Sequence, residues 1–443
     1  MPLEICSIGG FNKTEGNSVA VKVDDEVILL DMGLSMENYI RFTEDLEDYS
    51  SKHYKALLKV DAVPDYHFID DWKGKVKAIV QSHGHLDHIG AVPYAASLFP
   101  KAAVISTPFS IEILKSILYD EHIKIPNKIV TVNLNSSYRL SNKISIEFIN
   151  ITHSIAQAAI VVVHTPYGKI MYANDFKLDA RPVLRKGPNY ERLKQLGKEG
   201  VKLLIINCLY AHEHTKCPSE SVAKQMLKDV MLGVNSEGKA MIVTTFSSHL
   251  ARLKSIIELG KKLNRRIIFL GRSLDKYIRA AEKINLVNFS PEITLLRHRD
   301  KVIKALNKIE KTGREKFLIV CTGHQGEPKA VLSRIARGEM NFKFRPGDIV
   351  IFSCQVIPVM VNIENRQRLE SELKSRNVRL FRDVHVSGHA HLEDHRDLLE
   401  YVKPEHIIPI HADNSKAQML RELAEQLGFK NTHVMQDGKR LTL

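Results

Sequence analysis

The chain has 443 residues, of which 44% are hydrophobic and 26% charged, a composition that excludes intrinsically disordered and fibrous proteins. At about 150 residues per domain, this length predicts two or three domains. The 64 Lys and Arg residues outnumber the 51 Asp and Glu residues, and the resulting net charge of +13 indicates a polyanionic partner.

Cysteine usage and the N-terminus both indicate a cytoplasmic protein. The five cysteines are scattered and odd in number, so they form neither a CxxC pair nor a disulfide framework. We expect them to be small buried side chains in a reducing compartment. The N-terminus lacks the basic and apolar regions of a secretion signal, and the longest apolar run, residues 158–163, is too short to cross a bilayer. We therefore expect no membrane association.

Short alternating runs between turns predict three strands over residues 1–30, ending at Asp31-Met32-Gly33. Later elements are predicted as strands at 76–80, 103–105, 144–149, 159–164 and 169–172, and as a helix at 89–98. From about residue 202 each strand is followed by a helix, which is the pattern of βαβ units and a parallel sheet. We therefore predict an inserted α/β domain over residues 208–375, within a first domain formed by residues 1–207 and 376–443.

The densest chemical signal is the loop Ser82-His83-Gly84-His85-Leu86-Asp87-His88, which directly follows a predicted strand. It contains three imidazoles and one carboxylate, ligands that suit zinc or manganese. A strand end is rigid, and the loop after it can turn several side chains toward one point. The loop therefore predicts a metal site.

Three further candidate ligands follow predicted strands in the same way: His153, Asp175 and His411. Each of them alone would more often be a hydrogen-bonded structural residue. Their occurrence together with the histidine-rich loop predicts a metal site assembled from the ends of several strands.

The order HxHxDH, His, Asp and a last His resembles the signature of the metallo-β-lactamase superfamily, and the long insertion before the last His resembles its β-CASP branch. Further segments are similar to archaeal ribonuclease J, namely YANDFKLD (172–179), KCPSE (216–220), TGHQGEPKAVLSRIA (322–336), IFSCQVIPVMVNIENR (351–366) and DVHVSGHAHLEDHRDL (383–398). The resemblance covers essentially the whole chain. It implies an α/β fold: a metallo-β-lactamase αββα sandwich with an inserted β-CASP domain, whose parallel sheet is flanked by helices.

The resemblance also implies two zinc ions per chain, with manganese or magnesium as alternatives. The implied ligands are His83, His85 and His153 for one ion, and Asp87, His88 and His411 for the other. Asp175 would bridge the two ions, and Asp31 would orient a ligand from outside the coordination sphere. Two such ions can activate a hydroxide for attack on phosphorus, so Asp87 and Asp175 are expected to be essential for catalysis.

RNA is the substrate that the resemblance implies. Its terminal 5′-phosphate would be held by Ser247, Ser248, His249, Ser387, Gly388 and His389. The two serines lie where a strand meets a helix N-terminus, whose N–H groups suit phosphate, although serines there are ordinarily helix caps. Gly388 permits close backbone approach, and His389 would donate a proton to the leaving oxygen. Such a pocket turns a phosphodiesterase into a 5′-to-3′ exonuclease.

One position departs from the family pattern. The strand ending at residue 206 is followed in the family by an acidic residue that pairs with the catalytic histidine, and Asn207 takes that place here. An amide carries no charge to stabilise an imidazolium. We therefore expect Asn207 to pair with His389, catalysis to be altered or weaker, and Asn207→Asp to raise the rate. The alternative is that Asn207 caps the strand end, with its amide satisfied by the backbone, so that the new charge would be neutral or harmful.

Two groups of histidines are left outside the expected site. His385, His391 and His395 flank His389, but the stretch after residue 390 is typical of a solvated helix. His212 and His214 are expected to lie in a surface loop.

The sequence favours a metal-dependent 5′-to-3′ exoribonuclease that acts on single-stranded RNA, prefers a 5′-monophosphate and, by resemblance, forms a homodimer. An endoribonuclease on the same scaffold is the first alternative. A small-molecule metallohydrolase is disfavoured by the large insertion and the charge of +13. A catalytically weakened RNA-binding protein remains an alternative because of Asn207.

Overall fold

The computed structural model describes residues 3–44 and 52–443. The chain folds into two compact units. The first unit comprises Met1–Asp179, Gly187–Cys217 and Gly388–Leu443, and the second comprises Ala180–Lys186 and Pro218–Ser387. The second unit is thus an insertion into the first.

The strands of the described residues form three sheets. Those before the insertion are β1 (Leu3–Gly9), β2 (Ser18–Val23), β3 (Glu26–Leu30), β4 (Val76–Val80), β5 (Ala103–Ser106), β6 (Ile129–Thr131), β7 (Ser136–Arg139), β8 (Ser145–Asn150), β9 (Ala159–Thr165), β10 (Gly168–Ala173) and β11 (Leu203–Asn207). Those of the insertion are β12 (Met241–Thr244), β13 (Arg266–Leu270), β14 (Thr294–Leu296), β15 (Phe317–Cys321), β16 (Ile349–Phe352) and β17 (Arg379–Phe381). The chain ends with β18 (His406–Ile410) and β19 (Arg440–Thr442).

The helices before the insertion are α1 (Met36–Glu44), α2 (Tyr54–Lys59), α3 (Leu86–Ile89), α4 (Val92–Ala95), α5 (Pro108–Asp120) and α6 (Tyr190–Glu199). Those of the insertion are α7 (Glu220–Gly233), α8 (Leu250–Lys262), α9 (Arg272–Lys283), α10 (Arg299–Thr312), α11 (Val331–Ala336) and α12 (Met360–Lys374). The last two are α13 (Leu392–Val402) and α14 (Asn414–Gln426). Among the described residues, no helix is both long enough and apolar enough to cross a membrane.

Two mixed sheets form the first unit. One has the strand order β19-β1-β2-β3-β4-β5-β6 and the other the order β18-β11-β10-β9-β8-β7. Their facing sides share one apolar core, to which Val21 and Ile28 contribute from the first sheet and Phe148 and Val161 from the second. Helices α6, α13 and α14 cover the other face of the second sheet, and α5 packs against β5 and β6. This arrangement is an αββα sandwich, as predicted.

The second unit is a parallel α/β domain. Its six strands have the order β14-β13-β15-β12-β16-β17, and every neighbouring pair is parallel. Helices connect successive strands, because parallel neighbours require crossover connections. The carboxyl ends of all six strands therefore lie at one edge of the sheet, where the residues after β12 are found.

The main segment of the insertion, Pro218–Ser387, begins and ends later than the expected 208–375, and Ala180–Lys186 also belongs to the inserted unit. Residues 208–217 stay with the first unit because the Cys208 amide donates to the Ile410 carbonyl and the Cys217 amide donates to Asp394. Residues after 375 stay with the second unit because β17 pairs with β16 at the edge of the parallel sheet.

The predicted helix over 89–98 is wrong as a single element. The chain forms α3, α4 and a short 3-10 turn instead. Pro93 in the first turn of α4 has no N–H to continue a helix from α3. The backbone of Met32 also intervenes, since its N–H donates to His88 and its carbonyl accepts from Ala91. The break fixes the short helix that carries Asp87 and His88.

Candidate metal centre

The histidine-rich loop connects β4 to α3 at the edge where the strands of the first sheet end. The neighbouring strand β3 ends just before Asp31, whose N–H donates to the carbonyl of Val80. The side chain of Asp31 then accepts from the N–H of Ser82 at 2.7 Å and from its hydroxyl at 2.8 Å. The loop is therefore fixed by a buried carboxylate at its start.

The first group of potential ligands contains His83, His85, His153 and Asp175. Nδ1 of His85 lies 3.2 Å from Nε2 of His83 and 3.1 Å from Nε2 of His153. Asp175 Oδ2 lies 3.5 Å from His83 Nε2 and 3.2 Å from His153 Nε2. One ligand atom of each residue falls within 4.8 Å of all the others. Three nitrogens and one oxygen therefore face one small volume.

The second group contains Asp87, His88, Asp175 and His411. His88 Nε2 lies 3.2 Å from Asp87 Oδ2 and 3.3 Å from Asp175 Oδ2. His411 Nε2 is 3.7 Å from Asp175 Oδ1. Asp175 belongs to both groups, so the geometry joins the two volumes through one carboxylate.

Hydrogen bonds on the outer side of the rings fix their orientation. The outer partners of Nδ1 are Ser82 Oγ for His83 (3.0 Å), Asp31 Oδ2 for His88 (2.8 Å), the Gly388 carbonyl for His153 (2.7 Å) and Asn17 Oδ1 for His411 (3.1 Å). In each case Nε2 is left to face inward. Metal-binding imidazoles are held by outer partners in this way. The donor atoms and their orientation therefore fit divalent cations.

Asp31 and His411 both adopt left-handed backbone conformations, with φ of 60° and 65°. Such conformations are strained for non-glycine residues and cluster at functional sites. Asp31 is buried and also accepts a hydrogen bond from the hydroxyl of Tyr172 at 2.9 Å. Asp31 thus contacts the ring of His88 from its outer side, and its role in orienting a ligand stays a prediction.

Burial and mutual charge set the protonation of the cluster. Burial, reinforced by the neighbouring His88, holds the pKa of His83 well below its usual value. Burial acts in the same direction on His88, but the carboxylates of Asp87 and Asp175 outweigh it and hold its pKa well above the usual value. The surrounding imidazoles hold the pKa of Asp175 well below its usual value despite burial. The site thus presents anionic carboxylates to a cation.

Asn207 contacts the shared carboxylate rather than carrying the expected interaction with His389. Its Nδ2 donates to Asp175 Oδ1 at 2.8 Å, and its Oδ1 accepts from the N–H of Leu209 at 2.9 Å. Both functional ends of the amide are therefore engaged, because β11 lies beside β10, which leads into Asp175. The expected contact with His389 is therefore replaced by one with Asp175, and the effect of Asn207→Asp on the rate stays a prediction.

Gly388 and His389 reach the metal centre within the first unit. A Cβ at Gly388 would lie 2.7 Å from Cβ and 2.8 Å from the backbone N of Ser154, so only glycine fits without displacement. Nδ1 of His389 lies 3.8 Å from Asp175 Oδ1. Burial lowers the pKa of His389 to about 3, and the opposing charge of Asp175 only partly offsets this.

The remaining phosphate-binding candidates belong to the second unit. Ser247 and Ser248 are buried in the segment between β12 and α8, and His249 is the N-cap residue of α8. Ser247 Oγ lies 2.9 Å from Ser273 Oγ in the first turn of α9. Because His249 is the N-cap, neither serine caps α8. Ser387 is the last residue of the second unit.

Sequence reasoning missed several residues that support the site. Asn17 is buried, holds His411 through Oδ1 and donates from Nδ2 to the Asp87 carbonyl at 3.1 Å. No local pattern marks an asparagine with this role. The expectation that α13 is solvated is wrong at His395, which is buried against the Asn207 carbonyl, with its Nε2 at 2.8 Å.

Three family models match the chain, in the order of its parts. Residues 12–187 match the metallo-beta-lactamase superfamily, residues 238–367 the beta-CASP domain of ribonuclease J, and residues 376–435 the Zn-dependent metallo-hydrolase RNA specificity domain. The predicted combination of a metallo-β-lactamase domain with an inserted β-CASP domain is confirmed.

Several curated proteins are similar over the whole chain. Ribonuclease J of Methanocaldococcus jannaschii is 42% identical, over 100% of this chain and 99% of its own. Ribonuclease J of Pyrococcus abyssi is 41% identical, over 96% of this chain and 93% of its own. Ribonuclease J 1 of Streptococcus pyogenes is 30% identical, over 99% of this chain and 74% of its own.

A crystal structure of an Enterococcus faecalis protein of unknown function has a similar fold. Its TM-score is 0.67, it is 17% identical, and the match covers 100% of both chains. At this identity the likeness concerns the fold alone.

Proposed function

This chain belongs to the ribonuclease J family, and from that premise we propose that it is a metal-dependent ribonuclease that degrades single-stranded RNA from its 5′ end. A 5′-monophosphate is the preferred terminus in this proposal. Hydrolysis would leave a 3′-hydroxyl and a 5′-phosphate.

The observation that carries the proposal is the position of Asp175 in both ligand groups. A carboxylate shared by two sets of imidazoles and carboxylates supports two divalent ions close together. Such a pair, when bound, supplies an activated water for attack on phosphorus and neutralises the charge that develops there. The five imidazoles among the seven candidate ligands favour zinc over magnesium, and manganese remains compatible with them.

The chain's own residues would position the substrate and its leaving group. In this proposal His389 donates a hydrogen bond to the leaving oxygen, since its ring lies within 3.8 Å of Asp175. A neutral imidazole still carries one N–H donor, which is the state favoured by its lowered pKa. Asn207 holds Asp175 in place through its amide hydrogen bond.

The proposed phosphate-binding residues of the second unit are Ser247, Ser248, His249 and Ser387, and those of the first unit are Gly388 and His389. The serines lie at the carboxyl edge of the parallel sheet, beside the N-terminal turns of α8 and α9. Hydroxyls and helix N–H groups both donate to phosphate. These features support recognition of a phosphate group.

The distribution of charge supports RNA as the substrate. Residues 180–186 and 218–387 contain 35 Lys and Arg residues against 17 Asp and Glu residues, a net charge of +18. The rest of the chain has 29 against 34, a net charge of −5. The positive excess therefore belongs entirely to the inserted unit, and a polyanion is the partner that such an excess attracts.

The deciding experiment uses RNA labelled at either end and bearing a 5′-monophosphate, triphosphate or hydroxyl, with and without a chelator. Mononucleotides released from the 5′ end, fastest from the monophosphate and lost on chelation, are expected. Internal cuts would instead assign an endoribonuclease, and retention of intact RNA would assign a binding protein.

A homodimer and a cytoplasmic location complete the proposal. The dimer rests on the family, and light scattering on purified protein measures it directly. The five cysteines are all free and buried, which supports a reducing compartment.

A further inference from the structure

Four rings in the first unit form a row that leads away from the metal centre. The successive members are His411, His389, Tyr210 and His212. Their centroids are 5.7, 5.9 and 5.8 Å apart, and their planes are inclined by 21°, 43° and 26°. The two outer pairs are stacked and the central pair is tilted, so the four rings form a continuous chain of ring contacts.

The inner end of the row touches the reacting groups. His411 belongs to the second ligand group, and His389 lies 3.8 Å from the shared carboxylate of Asp175. The outer end is accessible, because Tyr210 is half-buried and His212 is exposed. The row thus extends from the candidate catalytic centre to solvent within one unit.

Backbone and side-chain contacts hold the middle of the row in place. Tyr210 forms a parallel β-bridge with His391, whose ring lies 5.5 Å from the tyrosine ring at an inclination of 33°. Nδ1 of His391 lies 3.0 Å from the hydroxyl of Thr215. These contacts fix the position of the Tyr210 ring.

Metal binding does not account for these outer rings. Among the described residues, two groups of His, Cys, Asp and Glu side chains can hold an ion, and neither contains His212 or His391. Part of the Tyr210 ring remains accessible beside the exposed imidazole of His212, so a ligand can reach both.

We propose that Tyr210 and His212 form a stacking platform for a nucleobase next to the phosphodiester bond that is cleaved. Single-stranded RNA is recognised by stacking of unpaired bases on aromatic and imidazole rings, and such stacking tolerates every base. The platform would hold the nucleotide in place while its phosphate lies at Asp175. This inference rests on the proposed ribonuclease function and names a subsite of it.

The test combines removal of the ring with removal of the base. Release of the first nucleotide is measured under single-turnover conditions for wild type, Tyr210→Phe and Tyr210→Ala. Each is given an intact RNA and matched RNAs with an abasic residue at the first, second or third nucleotide.

Tyr210→Ala is expected to lower kcat/KM on intact RNA about ten- to a hundredfold, the usual loss for one aromatic–base stack. Tyr210→Phe keeps the ring and is expected to stay close to wild type. For one of the three abasic positions, kcat/KM of the wild type is expected to fall to the value that Tyr210→Ala has on intact RNA. Tyr210→Ala should cleave that abasic RNA as fast as it cleaves intact RNA.

The platform would be overturned if Tyr210→Ala lowered kcat/KM relative to wild type by the same factor on intact RNA and on all three abasic RNAs. Failure of the wild type to cleave any RNA would instead overturn the proposed function. His212→Ala, at an exposed position, gives a smaller base-dependent loss and covers the case in which Tyr210→Ala does not fold. His214→Ala changes an exposed imidazole outside the row and is expected to leave all rates unchanged.

Discussion

Nδ1 of His153 donates a hydrogen bond to the backbone carbonyl of Gly388, 2.7 Å away and 235 positions later in the sequence. The residue that closes one side of the first ligand group is therefore oriented by the segment that contains His389. The proposed substrate-binding segment and a candidate metal ligand are thus joined by this hydrogen bond. A substitution at Gly388 is thus expected to change the affinity of the first ligand group for metal.

Gly388→Ala is expected to weaken metal binding about ten- to a hundredfold, the usual effect of losing an outer partner of a ligand. The added Cβ would meet Ser154 at 2.7 Å and push the carbonyl away from His153. Competition with a chromogenic chelator measures the affinity. Ser154→Gly in the same chain removes two of the clashing atoms and should restore part of it, whereas Gly233→Ala, with no neighbour within 4 Å, is the matched control.

Asp175→Ala is expected to abolish RNA cleavage and to remove metal from both groups of ligands. The carboxylate is shared, so its loss leaves each group with three residues. Elemental analysis of the purified variant, beside His83→Ala, reports the metal content. Cleavage near the wild-type rate in Asp175→Ala would contradict the shared site.

Asn207→Asp is expected to lower the cleavage rate and the metal affinity, by roughly 10- to 100-fold for a lost charge-assisted hydrogen bond of about 1.5–3 kcal/mol. The change replaces the N–H that donates to Asp175 at 2.8 Å with a second carboxylate. Parallel measurements of rate and chelator competition separate a displaced ligand from a slower chemical step. A higher rate would reinstate a pairing with His389.

Ser247→Ala is expected to reduce the preference for 5′-monophosphorylated over 5′-hydroxyl RNA. Its hydroxyl is a candidate donor to the terminal phosphate, which carries more charge than an internal one. The measured quantity is the ratio of the two decay rates. Ser333→Ala changes another buried serine of the inserted unit, in α11, and should leave the ratio unaltered.

RNA affinity is expected to fall steeply with salt, with a slope of roughly −0.7 per phosphate contacted. Arg272 and Arg299 are exposed, follow β13 and β14 at the edge that carries Ser247, and form no ion pair with other described residues. Replacing each by Ala should reduce the slope by roughly 0.7. Lys101→Ala and Lys430→Ala, exposed in the first unit, serve as controls, and an equal reduction there would contradict the charge assignment.

The fold and the main ligands could be predicted because their signals are local. Alternating apolar residues predict the strands, and the spacing within residues 82–88 brings several ligands together whatever the remaining fold. The candidate ligands outside this loop could be predicted because each of them directly follows a predicted strand.

The supporting residues could not be predicted because they depend on packing between distant segments. Asn17 and His411 are 394 positions apart. No sequence pattern predicts a hydrogen bond between residues so far apart. The contact of Asn207 was misjudged for the same reason. Its amide points to Asp175 because β10 and β11 lie side by side, and a strand end read alone does not reveal its neighbour.

The order of synthesis on the ribosome follows from the split first unit. His83, His85, His153 and Asp175 all precede the insertion, whereas His411 follows it and is carried by the segment after β18. A nascent chain that has produced the whole insertion still has only three of the four residues of the second group. The second ligand group is therefore completed only after the whole inserted unit has been synthesised.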